Sequence, residues 1–247
     1  MNLSISQEII SSLGVQQLVD WRRELPVNPN YTWAQLAGIR DVNALTTIAV
    51  HHDGIKKASV ADKTDKQLAT IIANNHIRQT NNESKGDAGF PYHVWIRNGT
   101  AYYCNNAEDR TYGVGGNNGY TVHVCVHGEY AGTDALTDQD RNALYAIILT
   151  LKSSLPKYQA IKGHNEIGKT DCPGFSMQKV REDVAIIETR SAQQQTWAAK
   201  LNKVGDLANQ YQYMFDLIKA GEGDGNAQWA VNQLLAVRDV LVERKLL

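Results

Sequence analysis

Two histidines and a cysteine are the residues in this chain best suited to chemistry. The segment Gly163-His164-Asn165-Glu166-Ile167-Gly168-Lys169-Thr170-Asp171-Cys172-Pro173-Gly174 places an imidazole and a thiol eight residues apart. Both groups are natural zinc ligands. A loop of that length lets the two side chains turn toward one ion, which asks for a tetrahedral arrangement that one helix face does not supply. Two donors do not complete a site, so the third must come from elsewhere in the fold. His51 is well placed for it, because it ends the apolar run Thr46-Thr47-Ile48-Ala49-Val50. Three protein ligands leave one coordination position for water or a substrate carbonyl, the arrangement of catalytic zinc. The same residues leave a second chemistry open, in which Cys172 paired with a histidine acts as a thiol nucleophile.

The elements that must position these groups can be read from periodicity and punctuation. Thr46 to His51 is β-branched and apolar, which reads as a buried strand. Thr64-Asp65-Lys66-Gln67 has the pattern of a capping box opening a helix through Leu68, Ile71 and Ile72. Tyr92 to Ile96 and Ala101 to Cys104 flank Asn98-Gly99, the signature of a two-residue hairpin. In Tyr120 to His127 the valines alternate with Thr121, His123 and Cys125. Thr137 to Ser154 reads as a capped helix, Ala160 to Gly163 as a short strand ending at His164, and the stretch from Gly174 to about Glu188 as another helix. Near the N-terminus, Ile9, Ile10, Leu13 and Leu18 fit one helical stripe, and Trp33 to Leu36 a second short helix. Strands alternating with helices, plus one hairpin, predict an α/β fold with a mixed central β-sheet flanked by helices on both faces.

Beyond Arg190 the composition changes. Trp197 to Ile218 and Trp229 to Leu246 keep helical spacing around a Gly221-to-Gly225 break, which predicts a C-terminal helical hairpin. The expected organisation is a catalytic domain over residues 1–190 and a hairpin over residues 191–247. The 247-residue chain has 21% charged residues and a net charge of -1, so no global positive field draws it to nucleic acid or an anionic membrane. It has three cysteines, an odd and sparse set that fits synthesis in a reducing compartment. Met1 to Val19 contains no Lys or Arg, so it does not read as a secretory signal, and no run of about 18 apolar residues spans a membrane.

Taken in order, several pieces resemble the type 2 N-acetylmuramoyl-L-alanine amidases. They are the apolar strand into His51-His52, Pro91-Tyr92-His93-Val94-Trp95-Ile96 with its Asn-Gly turn, the strand end at Val124 to Gly128, the Thr-led helix with Gln139, and the His164 to Cys172-Pro173-Gly174 block. That family includes phage lysozymes of the amidase type and the peptidoglycan recognition proteins. The resemblance runs from about Arg22 to Glu188. It implies a Zn2+ site on His51, His164 and Cys172, with His52 either behind the ligands or lining the cleft. It implies Tyr92 as the tyrosine beside the metal, in contact with the metal's water, and Thr170 as a hydrogen-bond donor to the developing oxyanion or to that water. It also implies hydrolysis of the amide between the lactyl group of N-acetylmuramic acid and L-alanine in peptidoglycan. With no signal segment and a short appendage, the chain looks like a phage or prophage endolysin made in the host cytoplasm and acting on the wall after release. The appendage would target the wall or form a homodimer.

This chain departs from the family pattern in two places. Thr111 to Asn118 lacks the histidine that many relatives carry before the Tyr120 strand, and Cys125 stands where some relatives have a glutamate. Lys169 is one place off the family lysine. Among the remaining candidates, His93 reads as a packing or surface residue and His123 and His127 as structural. Cys104 and Cys125 read as buried thiols, and Glu166 as an exposed loop carboxylate. A wall-binding module that does not cut is a further rival, and the presence of Cys172 with both histidines speaks against it; a structural role in a phage particle, with the appended helices as a docking element, is a third.

Overall fold

The computed structural model describes residues 1–78 and 85–193, and beyond them only 195, 232, 235, 236, 238, 239, 242 and 243. The chain divides into two compact units, Met1–Val184 and Ala185–Leu247. The hairpin expected over residues 191–247 falls almost wholly outside the described residues. No described helix is long and apolar enough to cross a membrane.

Local chemistry sets most element boundaries in the first unit. Helix α1 (Gln7–Leu13) starts where Ser6 Oγ accepts the Ile9 N–H and stops where Gly14 turns left-handed at φ 63°. Leu18 therefore does not continue the α1 stripe. The chain instead forms a two-residue edge strand, β1 (Val19–Asp20), which no periodic pattern announced. Helix α2 (Trp33–Ala37) opens on a capping box of Thr32 and Gln35. Strand β2 (Thr47–His52) leads to α3 (Asp65–Ile77), whose box is complete: Gln67 N–H donates to Thr64 Oγ1 at 3.2 Å, and Thr64 N–H to Gln67 Oε1 at 2.9 Å.

Strands β3 (Val94–Arg97) and β4 (Thr100–Tyr103) form the expected hairpin. Asn98 and Gly99 sit at φ 52° and 75°, the two positive angles that a turn matching the strand twist requires. Gly99 N–H donates to Asp140 Oδ1 at 2.9 Å, which ties the turn to helix α4 (Asp138–Ser154). Strand β5 (Thr121–Val126) precedes α4 and strand β6 (Ala160–Gly163) follows it. A further helix begins at 177, with Lys179 N–H donating to Ser176 Oγ at 3.2 Å.

The six strands lie in the order β1-β4-β3-β5-β2-β6. Strands β3, β5, β2 and β6 run parallel, and the hairpin reverses β4 and with it β1. The sheet is mixed, as expected, and helices cover both faces. On one face α3 packs Leu68, Ala69, Ile72 and Ala73 against Trp95, Tyr102, Cys104 and Cys125. The register aligns His51 with Cys125 and Cys125 with Trp95, so these three side chains share that face. The intervening valines point to the other face, where α4 packs against β3, β4 and β5. All six residues of β5 are buried. Its alternation therefore separates two buried surfaces, one apolar and one carrying histidine and cysteine, and not a core face from a wet one.

Candidate metal centre

The two chain segments that supply donors emerge from neighbouring parallel strands. His51 is the fifth residue of β2, and His164 follows β6 directly, beginning a short 3-10 turn (His164–Glu166). Parallel pairing of β2 with β6 brings both to the carboxyl end of the sheet, where open α/β sheets collect ligands. Cys172 returns from the loop after β6, and its backbone holds the turn through Asn165 N–H donating to Cys172 O at 2.7 Å. Glu166 braces the same turn, accepting Gly163 N–H at 2.8 Å and pairing with both terminal nitrogens of Arg181 at 2.9 and 3.0 Å. Glu166 is thus exposed but engaged, as a brace for the donor loop.

One donor atom each from His51, His164 and Cys172 falls within 4.8 Å of the others. His51 Nδ1 lies 3.8 Å from Cys172 Sγ. The corresponding edge of a tetrahedral zinc site, with bonds of about 2.0 and 2.3 Å, is about 3.5 Å long. The set fits a zinc ion in chemistry and in spacing. Burial, with His164, His52 and His93 nearby, holds the His51 imidazole well below its usual protonation range, so it is neutral and able to ligate. Burial lowers His164 as well. Burial pushes the Cys172 thiol up to about 11, opposed by the His52 backbone N–H that donates to its sulfur at 3.3 Å.

The other nitrogen of His51 is engaged too. His51 Nε2 lies 3.0 Å from His123 Nδ1, and His123 Nε2 lies 3.2 Å from Thr121 Oγ1. Thr121 Oγ1 in turn donates to Asn117 O at 2.9 Å. His123 is fully buried, as a structural histidine would be, yet it touches a donor of the centre directly. The sequence held half of the signal, since His123 alternates with Cys125 on one face. The missing half was the register, which pairs Ala49 with His123 and so sets His123 diagonally beside His51. His93 is buried and not at the surface. Its Nδ1 accepts His123 N–H at 2.9 Å, and burial beside Arg40 holds it down to about 3.

The remaining expected site residues lie around the cluster. The Tyr92 ring centroid is 5.2 Å from that of His51, and its phenol shares a hydrogen bond with Cys125. Burial, then Cys125, raises the Tyr92 phenol well above its ordinary range and keeps its proton on. Thr170 is exposed, and its Oγ1 accepts Cys172 N–H at 3.2 Å, which leaves its hydroxyl proton free to donate elsewhere. The His52 ring is engaged with the Tyr130 backbone, its Nδ1 accepting Tyr130 N–H at 3.1 Å. His127 pairs with Asp53 at 2.9 Å and is not part of the cluster. Cys104, Cys125 and Cys172 are all free and buried.

No protein-family model and no curated protein matches the chain. Solved structures do. The endolysin N-acetylmuramoyl-L-alanine amidase LysCS from Clostridium intestinale URNW superposes with a TM-score of 0.50 at 20% identity, over 69% of this chain and 97% of that one. The N-acetylmuramoyl-L-alanine amidase LysC from Clostridium intestinale URNW gives the same TM-score and identity, over 69% of this chain and 99% of that one. The Ph2119 endolysin from Thermus scotoductus MAT2119 bacteriophage Ph2119 gives 0.47 at 18% identity, over 67% and 97%. This chain is similar in fold to solved N-acetylmuramoyl-L-alanine amidases.

Proposed function

We propose that this chain is a zinc-dependent N-acetylmuramoyl-L-alanine amidase. It hydrolyses the amide between the lactyl group of N-acetylmuramic acid and L-alanine in peptidoglycan and so lyses cell walls, as a phage or prophage endolysin would. The observation that carries this reading is the convergence of His51, His164 and Cys172 at the carboxyl end of a sheet similar in fold to solved amidases. When bound, zinc supplies Lewis acidity toward the amide carbonyl and makes water nucleophilic near neutral pH.

The chain's own residues supply the rest. His51 and His164, both lowered by burial, present neutral imidazoles and Cys172 a sulfur. Tyr92, held protonated beside His51, is a donor for the oxygen that gains charge in the transition state. Thr170, braced by the Cys172 N–H, offers a second donor from the rim. Residues 191–247 serve attachment to the wall or self-association and are not needed for chemistry.

The thiol-hydrolase alternative needs Cys172 as a thiolate in the absence of metal. Nucleophilic cysteines have lowered pKa values, whereas burial pushes Cys172 up to about 11. Stripping metal with a chelator and restoring zinc separates the two. The zinc amidase loses activity on a soluble muropeptide and regains it with zinc alone. A chain that keeps its full rate after chelation refutes the proposal.

A further inference from the structure

The proton on His51 is dictated from a distance. Asn117 O is a carbonyl and can only accept, so the Thr121 hydroxyl spends its proton there, at 2.9 Å. Thr121 Oγ1 is then left with lone pairs toward His123 Nε2 at 3.2 Å, so that nitrogen carries the His123 proton. His123 Nδ1 is therefore bare, and at 3.0 Å it accepts from His51 Nε2. With its proton on Nε2, His51 keeps a lone pair on Nδ1, the nitrogen that faces Cys172 Sγ at 3.8 Å. Each link has one consistent direction, and His51, Thr121 and His123 are all buried, so water does not offer the rings another partner.

We propose that His123 is a positioning residue that fixes His51 in its Nε2–H tautomer, and that the buried chain His51–His123–Thr121–Asn117 ties the metal site to the 113–119 loop. The inference rests on the zinc reading above. Metal-ligating histidines commonly donate their second N–H to such a partner, and loss of the partner weakens metal binding. Here the partner is another imidazole, delivered by the adjacent strand β5. The loop holds it from two sides. Asn117 anchors the far end of the chain, and its Nδ2 also donates to Ile167 O at 2.8 Å, reaching the segment that carries His164 and Cys172. Gly113 lies flat on the His123 ring. A Cβ there would come within 2.6 Å of His123 Nδ1, the atom that receives the His51 proton. The segment that lacks a histidine of its own thus acts on the metal site through His123.

The test reads tautomers and zinc affinity in the full chain. Long-range 1H–15N spectra of the metal-free protein are expected to show His51 protonated on Nε2 and His123 on Nε2. His123→Phe keeps a planar ring but removes the acceptor, and zinc alone, titrated against a chromophoric chelator, should bind about 10- to 100-fold more weakly. His123→Asn restores an acceptor oxygen and should recover most of that loss. Thr121→Val leaves both rings in place and should weaken zinc in the same direction, which keeps the inference testable if His123→Phe does not fold. His51 protonated on Nδ1 in the metal-free protein overturns the inference. So does a folded His123→Phe or Thr121→Val protein with wild-type zinc affinity. A wild-type chain that takes up no zinc overturns the metal reading itself, and the inference with it.

Discussion

Gly168→Ala is a one-methyl probe of the donor loop. Gly168 sits over the His164 imidazole, and a Cβ added there would lie 2.9 Å from His164 Cδ2 and 3.0 Å from Nε2. Ordinary contact begins near 3.4 Å, so the ring must retreat by about 0.5 Å, the difference of 3.4 and 2.9. In the metal-free protein that retreat is cheap, because the ring is the free end of a side chain and Gly168 is not in a left-handed conformation. A bound zinc would not allow it. Zinc–nitrogen distances hold to within about 0.2 Å of their ideal length, so the displaced imidazole must strain the site or leave it. Effects on ligand orientation of this kind cost about 10- to 100-fold in metal affinity. The assay is a zinc titration against a chromophoric chelator, with thermal melting of the metal-free protein as control. The expected result is weakened zinc binding with an unchanged metal-free melting temperature. Zinc affinity within twofold of wild type would refute the placement of His164 as a ligand.

Other expectations follow from the same geometry. Tyr92→Phe should lower kcat by about 10²-fold or more while leaving zinc affinity intact, because the proposed role of the phenol is confined to the transition state; equal rates on a soluble muropeptide remove it from the mechanism. Zinc binding should release about one proton at neutral pH, since burial keeps Cys172 a thiol up to about 11 while His51 and His164 are already neutral. The sign follows: apparent zinc affinity rises about tenfold per pH unit between pH 7 and 9, and calorimetry in buffers of different ionisation enthalpy measures the proton count. A flat profile would mean that Cys172 is not a ligand. A chain ending at Arg190 should stay folded and cleave a small soluble muropeptide at near the full rate but lose activity on intact walls. Loss on the small substrate would make the tail part of the catalytic core.

Much of the candidate donor set was legible because its signals are local. The His164-to-Cys172 spacing, the strand end at His51, the Asn98-Gly99 turn and the Thr64 capping box each announce themselves within a dozen residues. What stayed hidden depends on pairing between distant segments. Strand β1 is two residues long and exists only because Val19 and Asp20 pair in parallel with Tyr102 and Tyr103. Gly14 ends α1, whereas the apolar spacing to Leu18 suggested one more turn than the glycine permits. His123 was hidden most completely. Its burial is what a core histidine shows, and only the β2–β5 register brings its Nδ1 to His51. The Glu166–Arg181 pair escaped for the same reason, since an exposed carboxylate in a loop reads as solvated until its partner on a later helix is known.

The central claim is that His51, His164 and Cys172 hold the zinc that cuts the lactyl–alanine amide. Mass analysis of purified peptidoglycan digested by the wild-type chain and by Cys172→Ser, each with and without added zinc, tests it most directly. The expected products from the wild type are free peptides with new L-alanine N-termini and intact glycan strands, formed only with zinc, while a folded Cys172→Ser protein yields almost none. Cut glycan strands, cleavage elsewhere in the peptide, or full digestion by Cys172→Ser with zinc absent would contradict the account.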